Sequence, residues 1–123
     1  ISTKKKLIWL VTNYDFYLQG EMIDLRFIRM TAFPIGVSPE FVLEKVEKNG
    51  QLKKIVRFKP SFAIAPKTPC PQFSDIDQMT GIRWKLPGDL LPGRYKIRTF
   101  FCNRLWVDMP VEIFTPEFDI IRR

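Results

Sequence analysis

Apolar side chains recur along this chain at alternate positions rather than at helical spacing, so the elements they predict are short strands. Residues 7–13 (LIWLVTN) form a nearly unbroken apolar run, the pattern of a buried strand. They lead into a turn-prone Asn13-Tyr14-Asp15 and a bend at Gln19-Gly20. In residues 21–30, Ile23, Leu25 and Phe27 share one face while Asp24 and Arg26 take the other. Ile28 and Met30 then land on the opposite parity, which predicts a bulge or burial on both sides near Phe27. Residues 40–48 and 52–58 flank Asn49-Gly50, the dipeptide suited to the positive φ angles of a type I′ hairpin turn.

Residues 59–74 are rich in proline and read as an extended loop or edge crossing, with a short strand at 62–65. Ile82, Trp84 and Leu86 alternate with Arg83 and Lys85, giving a strand with an apolar inner face. Pro87-Gly88 and Pro92-Gly93 bracket a tight connection to residues 94–102, where Tyr95, Ile97 and Thr99 oppose Arg94, Lys96 and Arg98. Asn103-Arg104 then turns the chain into a last strand at 105–114. The ten prolines, scattered among β-branched and aromatic residues, leave few windows for a helix. About seven one-sided strands, each needing an opposing apolar face, predict an all-β chain folded as an immunoglobulin-like antiparallel β-sandwich. A closed barrel is the alternative.

At 123 residues the chain fits one domain, 1–123, with candidate extended tails at 1–6 and 115–123. Eleven Phe within a 46% hydrophobic composition supply a core at this length. The net charge of +7 favours acidic partners without choosing among anionic lipid, glycan and nucleic acid. The absence of His changes the picture more, because it removes the usual general base, Ser/His and Cys/His nucleophile pairs and His-containing zinc sites. The chain starts at Ile1 rather than Met, as a processed product or an excised fragment would, and no apolar run is long enough for a membrane helix.

Cys70 and Cys102 form an even pair, each beside a predicted strand. One disulfide between them would stabilise by about 3 to 4 kcal/mol and imply an oxidising compartment; two buried thiols in a reducing one are the alternative. Asp75-Ile76-Asp77 has the form of a shared cation contact but lacks further ligands nearby in sequence, so a solvated turn is the simpler reading.

Three segments carry a resemblance. Residues 17–25 (YLQGEMIDL), residues 84–97 with Trp84-Lys85-Leu86-Pro87 and Leu91-Pro92-Gly93-Arg94-Tyr95-Lys96-Ile97, and residues 41–45 with Asn49-Gly50 are similar to bacterial immunoglobulin-like and macroglobulin-type domains. That resemblance implies a sandwich that recognises other proteins or acts as a spacer, extracellular or periplasmic, with no catalytic residues and no cofactor. Pro69-Cys70-Pro71, Leu86-Pro87, Pro92-Gly93-Arg94-Tyr95 and Cys102 also resemble secreted lipid-binding sandwiches of the GM2-activator type, which hold an acyl chain between their sheets. Those use several cysteines where this chain has two.

Two surfaces are candidates for contact. Arg83 and Lys85 on one strand, with Arg94, Lys96 and Arg98 on another, would form a stripe of cations if the strands were neighbours. Phe114, Phe118, Ile120 and Ile121 make the C-terminal segment too hydrophobic for a free tail. It would dock on the chain's own sandwich or add to the sheet of a neighbouring subunit. The expectation is a non-enzymatic interaction or assembly module, acting through sheet edges and hydrophobic tails on a protein partner or identical subunits. The alternatives are a lipid carrier whose Phe side chains line a cavity and, less favoured, a basic nucleic-acid-binding domain.

Overall fold

The computed structural model describes residues 8–30, 35–60, 74–76, 81–103 and 111–123. The candidate tail at 1–6, the short strand expected at 62–65, Cys70, Asp77 and residues 105–110 lie outside them. Eleven strands are described: β1 (Ile8–Thr12), β2 (Phe16–Leu18), β3 (Met22–Arg29), β4 (Ile35–Val37), β5 (Phe41–Val46), β6 (Leu52–Phe58), β7 (Ser74–Asp75), β8 (Ile82–Lys85), β9 (Gly93–Asn103), β10 (Val111–Phe114) and β11 (Phe118–Ile121). No α-helix occurs among the described residues.

β1, β3 and β8 form the smaller sheet, with β3 in the middle. The larger sheet is built around β9. Along one side of β9 run β11 and β10, and along the other run β5 and β4. β2 then joins β11 in parallel, β6 joins β5 and β7 joins β4. The chain passes from the smaller sheet to the larger after β1, β3 and β8, and consecutive strands divide between two layers as in an immunoglobulin-like sandwich.

Eleven elements replace the expected seven because three long strands are interrupted and the two-residue β7 is added. Asn13-Tyr14-Asp15 carries the chain from β1 in one sheet to β2 in the other. Asn13 holds that switch: its Oδ1 accepts from the Asp24 amide at 3.2 Å and from the Tyr17 hydroxyl. Thr115 bridges β10 and β11, its amide donating to the Ile97 carbonyl at 2.8 Å and its Oγ1 accepting from the Ile97 amide at 3.0 Å. Pro116, which has no amide proton, follows at the break. β4 and β5 are joined similarly, the Ser38 amide donating to the Phe100 carbonyl at 2.9 Å and Thr99 Oγ1 to the Glu40 carbonyl at 2.9 Å.

Alternation places the core as expected on β3, β8 and β9: Ile23, Leu25, Ile82, Tyr95 and Ile97 are buried. Aromatic rings cross the interior in series. Phe41 stacks on Phe58 at 5.6 Å between centroids, and Phe58 stacks on Trp84 of the opposite sheet at 3.7 Å. Tyr95, at the entry to β9, donates its hydroxyl to the Leu91 carbonyl at 2.6 Å, the corner bond that ties a central strand of such sandwiches to the loop before it. Burial, with a smaller contribution from the Glu47 charge, raises the Tyr95 hydroxyl above its ordinary pKa. Burial raises Tyr17 too, against the hydrogen bonds that favour its ionised form.

Two local expectations are corrected. β3 carries no bulge, since its register with β1 runs unbroken from Ile8↔Arg29 to Thr12↔Leu25; Ile28 and Met30 stay on the outer face and are exposed. In the β5–β6 hairpin the Gly50 amide donates to the Glu47 carbonyl at 2.9 Å, so Lys48-Asn49 are the central turn residues and Gly50, at φ +83°, follows them. That is a type I turn closed by a left-handed glycine rather than the two-residue type I′ turn. The hairpin's own bulge lies at Ile55, where the register shifts opposite Leu43 and Glu44.

Candidate interaction surface

The predicted cationic stripe does not form. Arg83 and Lys85 lie on β8 at one border of the smaller sheet, while Arg94, Lys96 and Arg98 lie on β9 at the centre of the larger one. The Pro87-to-Pro92 connection crosses between layers where a hairpin would have kept the strands adjacent. Most of these cations meet the chain's own groups. Arg83 pairs with Asp24 at 2.9 Å, Arg94 with Glu117 at 3.5 Å and Asp119 at 3.7 Å, and Lys96 Nζ lies 4.7 Å from the centroid of Phe114. The exposed cations with no ion-pair partner among the described residues include Lys48, Lys53 and Lys54, on the β5–β6 hairpin, a position the sequence reading passed over.

Arg98 is the most sequestered of the set. Its Nε lies 2.7 Å from Glu44 Oε1, and its Nη1 lies 2.9 Å from Glu112 Oε1. The Glu44 side chain is only 8% exposed and that of Arg98 19%. The Arg98 Nε–Glu44 contact has the distance of an ion pair without the alignment of a hydrogen bond. A pair this enclosed fixes β5 against β9 and leaves little charge for a partner.

The C-terminal segment is no tail. Residues 118–121 form β11, held in the chain's own larger sheet between β9 and β2. Phe118 and Ile120 point inward and are buried, Phe118 packing edge-on to Tyr17 at 5.5 Å. Phe114 ends β10 half-buried, and of the four candidate contacts Ile121 alone is exposed. Of the placements expected for residues 115–123, docking on the chain's own sandwich is the one observed, and an extended tail is not, because alternate apolar residues here fill an interior position rather than a surface.

The structure instead brings together residues the sequence reading left apart. Trp9 on β1 lies directly opposite Ile28 on β3, both facing outward, with Val11 and Met30 next along the two chains. Trp9 is 42% exposed, Ile28 37% and Met30 62%. The signal was present in the sequence as the broken alternation after Arg26, which marks an outward apolar pair rather than a kink. β1 pairs with β3 on one side, and no described strand occupies its other side.

A groove of about 770 Å³ opens beside the same strands, lined by Leu25, Phe27, Ile76 and Ile82 and also by Asp24, Arg26 and Arg83. An acyl chain lying there would displace water from charged groups, an unfavourable exchange. Asp75 pairs with Gly36 through β7, and the described residues hold no group of three acidic or sulfur side chains placed for a cation. No described helix is long and apolar enough to cross a membrane.

No protein-family model and no curated protein matches the chain. Among solved structures, one chain from a study described as the structural basis of T cell specificity and activation by the bacterial superantigen toxic shock syndrome toxin-1 superimposes with a TM-score of 0.49 at 6% identity, over 94% of this chain and 99% of that one. A likeness of that size carries nothing about function, and the sandwich rests on its own strand connections.

Proposed function

We propose that this chain is a non-enzymatic, extracytoplasmic module that acts by interaction or assembly, meeting a protein partner or identical subunits through its sheet edges. The observation that carries the reading is the outer side of the smaller sheet, where Trp9, Ile28 and Met30 are exposed beside a border strand. Association there recovers apolar burial and main-chain hydrogen bonds together. The lipid-carrier alternative finds less support, since Phe41, Phe58 and Trp84 stack on one another in the interior. A nucleic-acid or anionic-glycan reading has the hairpin lysines to draw on, but their neighbouring aromatic residue, Phe58, faces inward.

Extracytoplasmic placement is linked to a Cys70–Cys102 disulfide, with Cys102 buried at 3% exposure. Maleimide labelling of the denatured chain checks it: no adduct before reduction and two after supports the bond, and two before reduction refutes it. The interaction role itself is tested with a photo-crosslinking residue at Ile28 and, as a control, at Lys85, in extract of the native source. A defined protein product from position 28 and none from position 85 is expected. Equal capture at both positions, or none at either, refutes the reading.

A further inference from the structure

We propose that Asn49 is a site of self-modification: it loses its side-chain amide to attack by the Gly50 nitrogen, takes up water, and becomes aspartyl or isoaspartyl without an enzyme. The reaction is independent of the interaction reading above.

This chemistry needs an asparagine whose side-chain carbonyl can be reached by the next backbone nitrogen. Glycine in the second position leaves that nitrogen uncrowded, having no Cβ. Asn49 and Gly50 lie exposed at the tip of the β5–β6 hairpin. A Cβ on Gly50 would meet no atom within 4 Å, so no neighbour packs against the peptide that has to swing. Because both groups belong to one chain, they meet at a very high effective concentration.

Two hydrogen bonds at the tip involve the reacting atoms. The Gln51 amide donates to Asn49 Oδ1 at 3.0 Å. A donor already on that oxygen polarises the carbonyl, and it holds more strongly as the oxygen gains negative charge during attack. The Gly50 amide donates to the Glu47 carbonyl at 2.9 Å, and that bond must open first. It closes an exposed turn, where local opening costs little. Exposed Lys48, Lys53 and Lys54 favour both the deprotonated nitrogen and the oxyanion, while the half-buried Glu47 carboxylate acts the other way.

Base takes the Gly50 amide proton, and the nitrogen attacks Asn49 Cγ, forming a C–N bond while the carbonyl electron pair moves to Oδ1. The pair returns, the Cγ–Nδ2 bond breaks, and Nδ2 leaves as ammonia with a proton from water. Water then opens the cyclic imide. Cleavage of the new bond leaves aspartate at position 49, and cleavage of the original peptide bond leaves a main chain that runs through the side chain. A water is consumed and an ammonia released, with no oxidant or reductant. Either product puts a carboxylate among the three lysines and lowers the net charge of +7 by one.

Asn13 provides the internal comparison. Its Oδ1 is held by the Asp24 amide at 3.2 Å and by the Tyr17 hydroxyl, and the nitrogen that would attack belongs to Tyr14, which carries a side chain.

Mass spectrometry of peptides from the folded full chain, sampled over time in mildly alkaline buffer, reads the result. The peptide holding Asn49 should gain one mass unit and divide into aspartyl and isoaspartyl forms, preceded by a form lighter by one ammonia. The peptide holding Asn13 should stay intact. Gly50→Ala should slow the conversion several-fold; Asn49→Gln, which would need a larger ring, should abolish it and serves if the first variant folds poorly. A position 49 that stays unchanged in the folded chain overturns the proposal, whether or not the urea-unfolded chain converts. Conversion at Asn13 at the same rate, a folded Gly50→Ala chain that converts as fast as the parent, or a mass gain that persists in Asn49→Gln overturns the assignment to this turn.

Discussion

Replacing Tyr95 by Phe removes one hydroxyl from the corner before β9 and leaves the ring in place. The bond lost is the 2.6 Å donation to the Leu91 carbonyl. A neutral hydrogen bond contributes about 0.5 to 1.5 kcal/mol net, and a carbonyl left wholly buried without a donor would add to that cost. Leu91 is 67% exposed, so water reaches the loop and the expected loss is about 1 to 1.5 kcal/mol. With a urea slope of roughly 1 to 3 kcal/mol per molar, the midpoint should fall by about 0.3 to 1.5 M with the slope unchanged.

The same substitution has an opposite signature in alkali. The Tyr95 hydroxyl titrates above 10.0 in the folded chain because burial, then the Glu47 charge, disfavours its ionised form. An unfolded tyrosine ionises at the ordinary value, so above it the unfolded chain binds fewer protons than the folded one and stability declines. The tyrosine's contribution is therefore complete below pH 10 and is lost as pH rises through the folded value. Tyr95→Phe should be less stable than the parent at pH 7 yet lose less between pH 9 and 11, with Tyr17 supplying the remaining decline. Urea midpoints that agree at pH 7, or alkaline declines of equal steepness, would refute the corner bond and its burial.

Arg98→Ala should destabilise by about 3 kcal/mol by leaving the buried Glu44 carboxylate short of its partner, and Glu44→Leu with Arg98→Met should restore much of the loss. Additive losses in that urea double-mutant cycle would show that the two do not interact. A chain ending at Thr115 lacks β11 and the buried Phe118 and Ile120, a loss of about 5 to 8 kcal/mol that approaches a whole domain's stability. Rapid proteolysis and loss of the near-ultraviolet circular dichroism are expected, and a folded monomer would contradict the placement of β11. Gly50→Ala meets no atom within 4 Å, so its cost of about 1 kcal/mol should come from backbone strain at φ +83° alone, read as a lower thermal midpoint.

Much of the architecture was legible where one face of a strand is buried and the other wet. β3, β8 and β9 follow from alternation alone, because a period of two records which side meets the core. Alternation does not record which strand lies alongside. Arg83 and Arg94 look alike in sequence, and only the crossing between layers separates them. β2 and β4 are three residues each, too short for a period to show, and exist because neighbours complete their ladders. The last segment reads as a tail for the same reason: Phe118 and Ile120 gain an interior only once β2, from the other end of the chain, lies against β11. The outward Trp9–Ile28 pair was concealed by the habit of assigning apolar residues to the core.

The parallel contact of β2 with β11 also determines how the molecule responds to tension. Bonds from the Asp119 amide to the Asp15 carbonyl, 3.0 Å, and from the Gln19 amide to the Ile121 carbonyl, 3.1 Å, lie at its two ends. A pull on β2 from its N-terminal end and on β11 from its C-terminal end draws these two strands lengthwise past each other, so the rungs share the load and must rupture together instead of peeling one by one. Such a geometry resists stretching.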